Sequence, residues 1–172
     1  MVIEAVIFYS QVEYQIAPYY PSGFDQASYY VQTYNLIEDL TAHGWIAVVN
    51  DTLRSPSSLL FNLQGALFAM AFGKNRTAII GVNLLYFCAL QVTLFLTVRR
   101  ATGKTYAAWL AVSLLLAARS MFFGNAGIYA YQMDFCALCL YGILACLIVH
   151  SQVFADLVST LAITVAASAP EE

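Results

Sequence analysis

The sequence predicts an all-α fold of polytopic transmembrane helices, with two interfacial helices in the first outer loop. Three observations predict it. Hydrophobic residues make up 61% of the chain and charged residues 10%, against roughly 45–50% and about 25% in soluble domains; the mean hydropathy is +0.71. The apolar residues gather in runs of the length a bilayer requires, about 20 residues per crossing. The basic cluster of Arg99, Arg100 and Lys104 sits between two such runs, where a membrane protein keeps a cytoplasmic loop.

The 172 residues accommodate several crossings with their loops, but no large soluble domain. Positions 1–9 are apolar apart from Glu4 and too short to span. Without a basic flank or a small-residue cleavage site they do not resemble a signal peptide, and they read as the end of a longer helix. Positions 11–23 form a surface loop broken by Pro18, Pro21 and Gly23. Residues 26–43 then carry Ala27, Tyr30, Val31, Tyr34, Ile37 and Thr41 at helical spacing, a tyrosine-rich helix suited to the interface plane. Gly44 is placed to end it.

Residues 45–49 are β-prone. Ser55 and Pro56 start a second helix, residues 59–72, whose length suits an interfacial or re-entrant segment; Gly73, Lys74 and Asn75 close it. Residues 77–98 form the clearest span, about 33 Å at 1.5 Å per residue. Residues 106–123 form a second span, joined to the first by the basic turn. An outer loop follows at 124–132, then a third apolar run at 135–149. The expected division places a transmembrane unit at 1–150 and a partial helix with a disordered tail at 151–172; Asp156 is embedded in that helix.

Composition excludes some functions. Seven Lys and Arg scattered among membrane segments make no basic stripe, so nucleic acid is not an expected partner. Cys88, Cys136, Cys139 and Cys146 lie in apolar runs as small hydrophobes. Cys136 and Cys139 make a C-x-x-C without the polar surroundings of a redox or metal site.

Two crossings between Asp25 and Asp134 would put both carboxylates on the non-cytoplasmic face, where a carboxylate is costly unless paired, hydrated or functional. The plain reading of each is a helix N-cap. For Arg119, near the outer end of its helix, it is snorkelling. Asn50-Asp51-Thr52 and Asn75-Arg76-Thr77 match a glycosylation triplet that often arises by chance. His43 and His150 read as interfacial polar residues.

The ordered set Pro21-Ser22-Gly23-Phe24-Asp25-Gln26-Ala27-Ser28-Tyr29-Tyr30, Ser55-Pro56 leading into 59–72, and Tyr131-Gln132-Met133-Asp134-Phe135 resembles the N-terminal part of the GT-C membrane glycosyltransferases. That superfamily includes protein O-mannosyltransferases and lipid A aminoarabinose transferases. The resemblance implies transfer of a sugar from a polyprenyl-phosphate donor to an acceptor hydroxyl on the periplasmic, lumenal or exterior side. It further implies Asp25 as catalytic base and Asp134 as a supporting acid. Arg119 and Arg54 are candidates for the donor phosphate. Many relatives carry a second acid beside the first aspartate; here the neighbour is Gln26, so the resemblance supplies no metal or other cofactor. Family members have many more helices, so a fragment is expected.

Two alternatives stand beside it. A non-catalytic membrane subunit or scaffold would tolerate Asp25→Asn. A transporter or channel fragment would want ionisable or broken-helix features at the bilayer midplane, where residues 77–98 offer Asn83, Tyr86 and Gln91.

Overall fold

The computed structural model describes residues 2–13, 24–54, 59–122 and 127–167; for 24, 25, 47, 49–54, 59, 120 and 153–167 it describes the backbone alone. The loop expected through Pro18 and Gly23, the Ser55-Pro56 helix start, Gly124 and the 168–172 tail lie outside the described residues. Every regular element among the described residues is helical: α1 (Val2–Gln11), α2 (Phe24–Arg54), α3 (Leu59–Phe72), α4 (Arg76–Thr102), α5 (Thr105–Ala117) and α6 (Met133–Ala167), with a short 3-10 turn at Arg119–Met121. Two of them, Arg76–Thr102 and Met133–Gln152 within α6, are long and apolar enough to cross a membrane.

Local chemistry explains most boundaries. The N–H of Gly73 donates to the carbonyl of Ala69 at 3.0 Å as the chain leaves α3. The Asn75 side chain then accepts from the Ala78 N–H at 2.8 Å, capping the start of α4. At the far end Gly103 adopts φ 68 and its N–H returns to the carbonyl of Arg99 at 2.9 Å, a left-handed helix stop that a side chain would strain.

Three expectations need correction. Gly44 does break the helical path (φ 74, ψ 177), but the chain resumes a helix at once and carries it to Arg54. The β-prone residues 45–49 are therefore helical, because strand propensity is a weak preference in a segment that has no neighbouring strand to pair with. The second span expected at 106–123 ends at Ala117 and is only 13 residues long, about 20 Å. Ala118 is extended (φ −71, ψ 98) and starts the 3-10 turn. The third apolar run does not stop near His150; α6 is one helix of 35 residues, with the Ser151 hydroxyl bonded back to the carbonyl of Ile148 at 2.8 Å.

The molecule divides into two compact units, one made of Met1–Cys88 with Ala118–Cys139, the other of Ala89–Ala117 with Leu140–Glu172. In the first, α2 packs on α3, and Phe8, Ile37, Phe61, Ile79, Phe87, Tyr131 and Phe135 are buried. In the second, three pairings run in step along α4 and α6. The Leu90 side chain fills the space over Gly142, the Thr97 hydroxyl donates to the carbonyl of Cys146 at 3.4 Å, and Arg100 meets His150 at 2.6 Å. Both numbers rise together, so α4 and α6 run parallel there. Phe95 of α4 and Trp109 of α5 make an edge contact with centroids 5.0 Å apart.

Apolar side chains fill most of the interior, but several polar ones share it and many large apolar ones lie outside. The buried polar residues include Thr33, Asn62, Asn83, Gln91 and Thr97, while Leu85, Val92 and Leu96 of α4, Trp109, Leu110 and Leu114 of α5, and Leu138, Leu144, Leu147 and Ile148 of α6 are exposed. Half of the apolar window in α4 is buried, but only 17% of that in α6. A core helix of a soluble protein would be covered on most sides.

Candidate functional site

The first unit contains a buried joint between the start of α2 and the start of α6, centred on Tyr131. Its hydroxyl shares a hydrogen bond with that of Thr33 at 2.9 Å, Thr33 donates to Asn62 Oδ1 at 3.5 Å, and Asn62 Nδ2 donates to Gln32 Oε1 at 2.7 Å. Around the ring stand Tyr30 (centroids 4.8 Å), Phe61 (4.6 Å) and Tyr29 (6.5 Å). Gly65 of α3 lies directly under the Tyr131 hydroxyl, so close that a Cβ there would overlap it. The Arg76 guanidinium, at the first residue of α4, lies 5.7 Å over the Tyr30 ring as a cation–π contact.

Burial, helped by neighbouring Tyr131, pushes the Tyr30 hydroxyl far above its ordinary 10.0 despite the opposing pull of Arg76. Burial likewise pushes Tyr131 up, against the lowering hydrogen bond from Thr33. Tyr34, one turn from Tyr30, is raised by burial and lowered by Arg76, so the guanidinium acts on both rings. Tyr131 serves the joint through its hydrogen bond to Thr33, and Tyr30 through its ring contact with Tyr131.

Asn83 of α4 holds the approach to α6. It is fully buried, and its Nδ2 donates to the carbonyls of Ile128 and Ala130, each at 2.8 Å, while its Oδ1 accepts from the Cys136 thiol at 3.3 Å. One side chain thus satisfies two backbone carbonyls of an irregular segment and ties down the first turn of the helix that follows. Tyr86, one turn on, donates to Gln64 Oε1 at 2.7 Å.

The four residues assigned from the sequence all fall in this unit. Asp25 and Asp134 each occupy the second residue of a helix, α2 and α6. Asp134 is exposed, and the macrodipole favours a carboxylate at such a position. The N-cap reading is thereby shifted by one or two residues, since both aspartates stand inside the first turn. Tyr30, five residues after Asp25, touches Tyr131, three residues before Asp134. The joint therefore links the two helix starts, while the side chain of Asp25 lies outside the described residues. Arg119 is exposed at the head of the 3-10 turn. Arg54 ends α2, beyond the Gly44 kink from Asp25, and its side chain lies outside the described residues.

Sequence reasoning missed Tyr131, Thr33, Gly65 and Arg76 as one assembly. Arg76 was legible only as the middle of a glycosylation triplet. Its position at the opening residue of the first long apolar helix is the signal that would have found it. Among the described residues no group of three His, Cys, Asp or Glu is arranged to hold a metal ion.

No family model matches the chain, and neither a curated protein nor a solved structure matches it.

Proposed function

We propose that this chain is a multi-pass membrane protein, and that its first unit is part of a glycosyltransferase of the GT-C type. In this reading a sugar passes from a polyprenyl-phosphate donor to an acceptor hydroxyl on the non-cytoplasmic side. The membrane part of the proposal is supported by the exposed apolar faces of α4, α5 and α6, which would bury Leu, Ile and Val against acyl chains instead of water. Because α4 and α6 run parallel, the chain between them must recross. The 13-residue α5 is too short to do so alone.

Irregular backbone at membrane depth is tolerated only where protein satisfies its polar groups, and Asn83 supplies this for Ile128 and Ala130. The same bonds weigh against the transporter reading. A broken segment is present, but these two carbonyls, which a transporter would offer to an ion, are already occupied.

The observation that carries the catalytic part is the Tyr30–Tyr131 contact, which brings the second turn of α2 against the residues that lead into α6. With two crossings between them, Asp25 and Asp134 share the outer face, at the level where the reactive carbon of a lipid-linked sugar sits. Asp25 would take the acceptor proton as general base. Asp134 would hold the acceptor or the developing charge. Arg76, beside Tyr30 and Tyr34, joins Arg119 and Arg54 as a cation for the departing lipid phosphate.

The test is transfer of radiolabelled sugar from a polyprenyl-phosphate donor in membranes carrying the chain, alone and together with proteins encoded beside it. Asp25→Asn should abolish transfer at unchanged expression and unchanged helical circular dichroism. Asp134→Asn should lower it by about two to four orders of magnitude, the usual effect of a positioned acid–base group. Full transfer by Asp25→Asn would reject the carboxylate as base and leave the scaffold reading.

A further inference from the structure

We propose that the basic end of the second unit is a binding site for the headgroup of an anionic phospholipid, built from Arg99 and Arg100 of α4, Lys104 of the following turn and His150 of α6. The proposal rests on the membrane reading and is independent of the transferase chemistry.

Three cations fall within six residues, and the sequence holds no Asp or Glu anywhere between Asp51 and Asp134, nor from Leu140 to Ala155. The next acidic residue along α6 is Asp156, six residues beyond His150. All three cations are exposed. Their backbone is fixed: Gly103 closes on the carbonyl of Arg99 at 2.9 Å, and the Thr102 hydroxyl bonds the carbonyl of Val98 at 2.8 Å and the N–H of Lys104 at 3.2 Å. Arg100 Nη1 donates to His150 Nε2 at 2.6 Å. Arg carries no acceptor, so the ring nitrogen accepts. The contact ties the basic turn to α6.

The surroundings select a lipid over a free anion. Lys104 Nζ lies 5.7 Å over the Tyr106 ring, and the exposed residues next along the helices are Leu96, Trp109, Leu110 and Ile148. A cationic rim, an aromatic pair at headgroup depth and apolar helix faces beneath reproduce the amphipathic order of a phospholipid. Inorganic phosphate would use only the rim.

The experiment uses the full chain carrying Trp45→Phe, so that Trp109 is the remaining tryptophan, reconstituted into vesicles of zwitterionic phosphatidylcholine with a minor fraction of phosphatidylglycerol. Brominated acyl chains are placed on one lipid or the other, and quenching of Trp109 reads which lipid sits beside the turn. The expected result is stronger quenching by brominated phosphatidylglycerol, reduced at high salt, with the preference falling roughly fivefold for each cation removed in Arg99→Gln and Lys104→Gln. Neither variant touches the Arg100–His150 contact, and Lys74→Gln, at the other end of α4, should leave the preference unchanged. Equal quenching by the two lipids, or loss of the preference in millimolar inorganic phosphate, would overturn the lipid site with the membrane reading intact. A chain that enters vesicles of neither composition would refute both.

Discussion

Asn83→Leu is the substitution whose consequence the structure fixes most narrowly. Leucine keeps the branching of the asparagine side chain but is bulkier, and it removes both donors and the acceptor. The carbonyl of Ile128 then loses its partner at 2.8 Å in a site where Asn83 is 0% exposed, the carbonyl of Ala130 keeps only the N–H of Gln132 at 2.9 Å, and the Cys136 thiol loses its acceptor. A buried polar group left without its partner costs about 1–3 kcal/mol. The Ile128 carbonyl alone is left so, and that range stands undoubled. Interhelical hydrogen bonds in membranes average nearer 0.6 kcal/mol, because the unfolded chain in lipid finds other partners. That relief is smaller here, since the acceptors belong to a segment without helical bonds of its own, and the expected loss is about 1–3 kcal/mol. Unfolding in mixed micelles measures it, and hydrogen exchange locates it as faster exchange of the amides from Ile128 to Gln132. A change within about 0.5 kcal/mol of the parent, the scatter of ordinary surface substitutions, would refute the assignment of Asn83 as the clamp.

Other consequences follow from the same joint. Gly65→Ala should destabilise the first unit by about 1–3 kcal/mol, because its methyl group meets the Tyr131 hydroxyl; Tyr131→Phe in the same chain should restore part of the loss in unfolding midpoint, and absence of any rescue would deny the clash. Tyr131→Phe alone should cost about 1 kcal/mol through the Thr33 bond, read by the same unfolding assay. For pH the sign is set by the raised pKa of Tyr30 and Tyr131. The unfolded phenols ionise near 10.0 while the folded ones stay protonated, so their stabilisation is complete below about pH 10 and falls as pH rises above it. Unfolding midpoints followed from pH 9 to 12 should drop, and the drop should be shallower in Tyr131→Phe. In the second unit Gly142→Leu should part α4 from α6, since even a Cβ would come within 2.7 Å of a Leu90 methyl; engineered cross-links between positions 97 and 146 should then form more slowly.

The long apolar runs made α4 and the first part of α6 legible, because hydrophobicity over 20 residues reports on the solvent of a helix and needs no knowledge of its neighbours. The 59–72 helix was legible for the same reason, its bounds matching α3. The early stop of α5 was not. Residues 118–123 are still mostly apolar, yet the helix ends where Ala118 turns extended. Helical spacing placed Tyr30 on one face of α2, but no pattern in the sequence announces that Tyr131 would reach Thr33 across 98 residues or that Gly65 leaves the room for it. Asp25 and Asp134 were found from their order along the chain, and the contact of Tyr30 with Tyr131 was the part that order alone does not contain.

The central claim is a shared outer face for positions 25 and 134, and one labelling experiment addresses it. Single cysteines at 25, 104 and 134, in a chain with Cys88, Cys136, Cys139 and Cys146 replaced by alanine or serine, would be treated in intact cells with a membrane-impermeant maleimide. Labelling of positions 25 and 134 before permeabilisation, and of 104 only after it, is the result the account predicts. Labelling of 25 and 134 from opposite sides of the bilayer would contradict it.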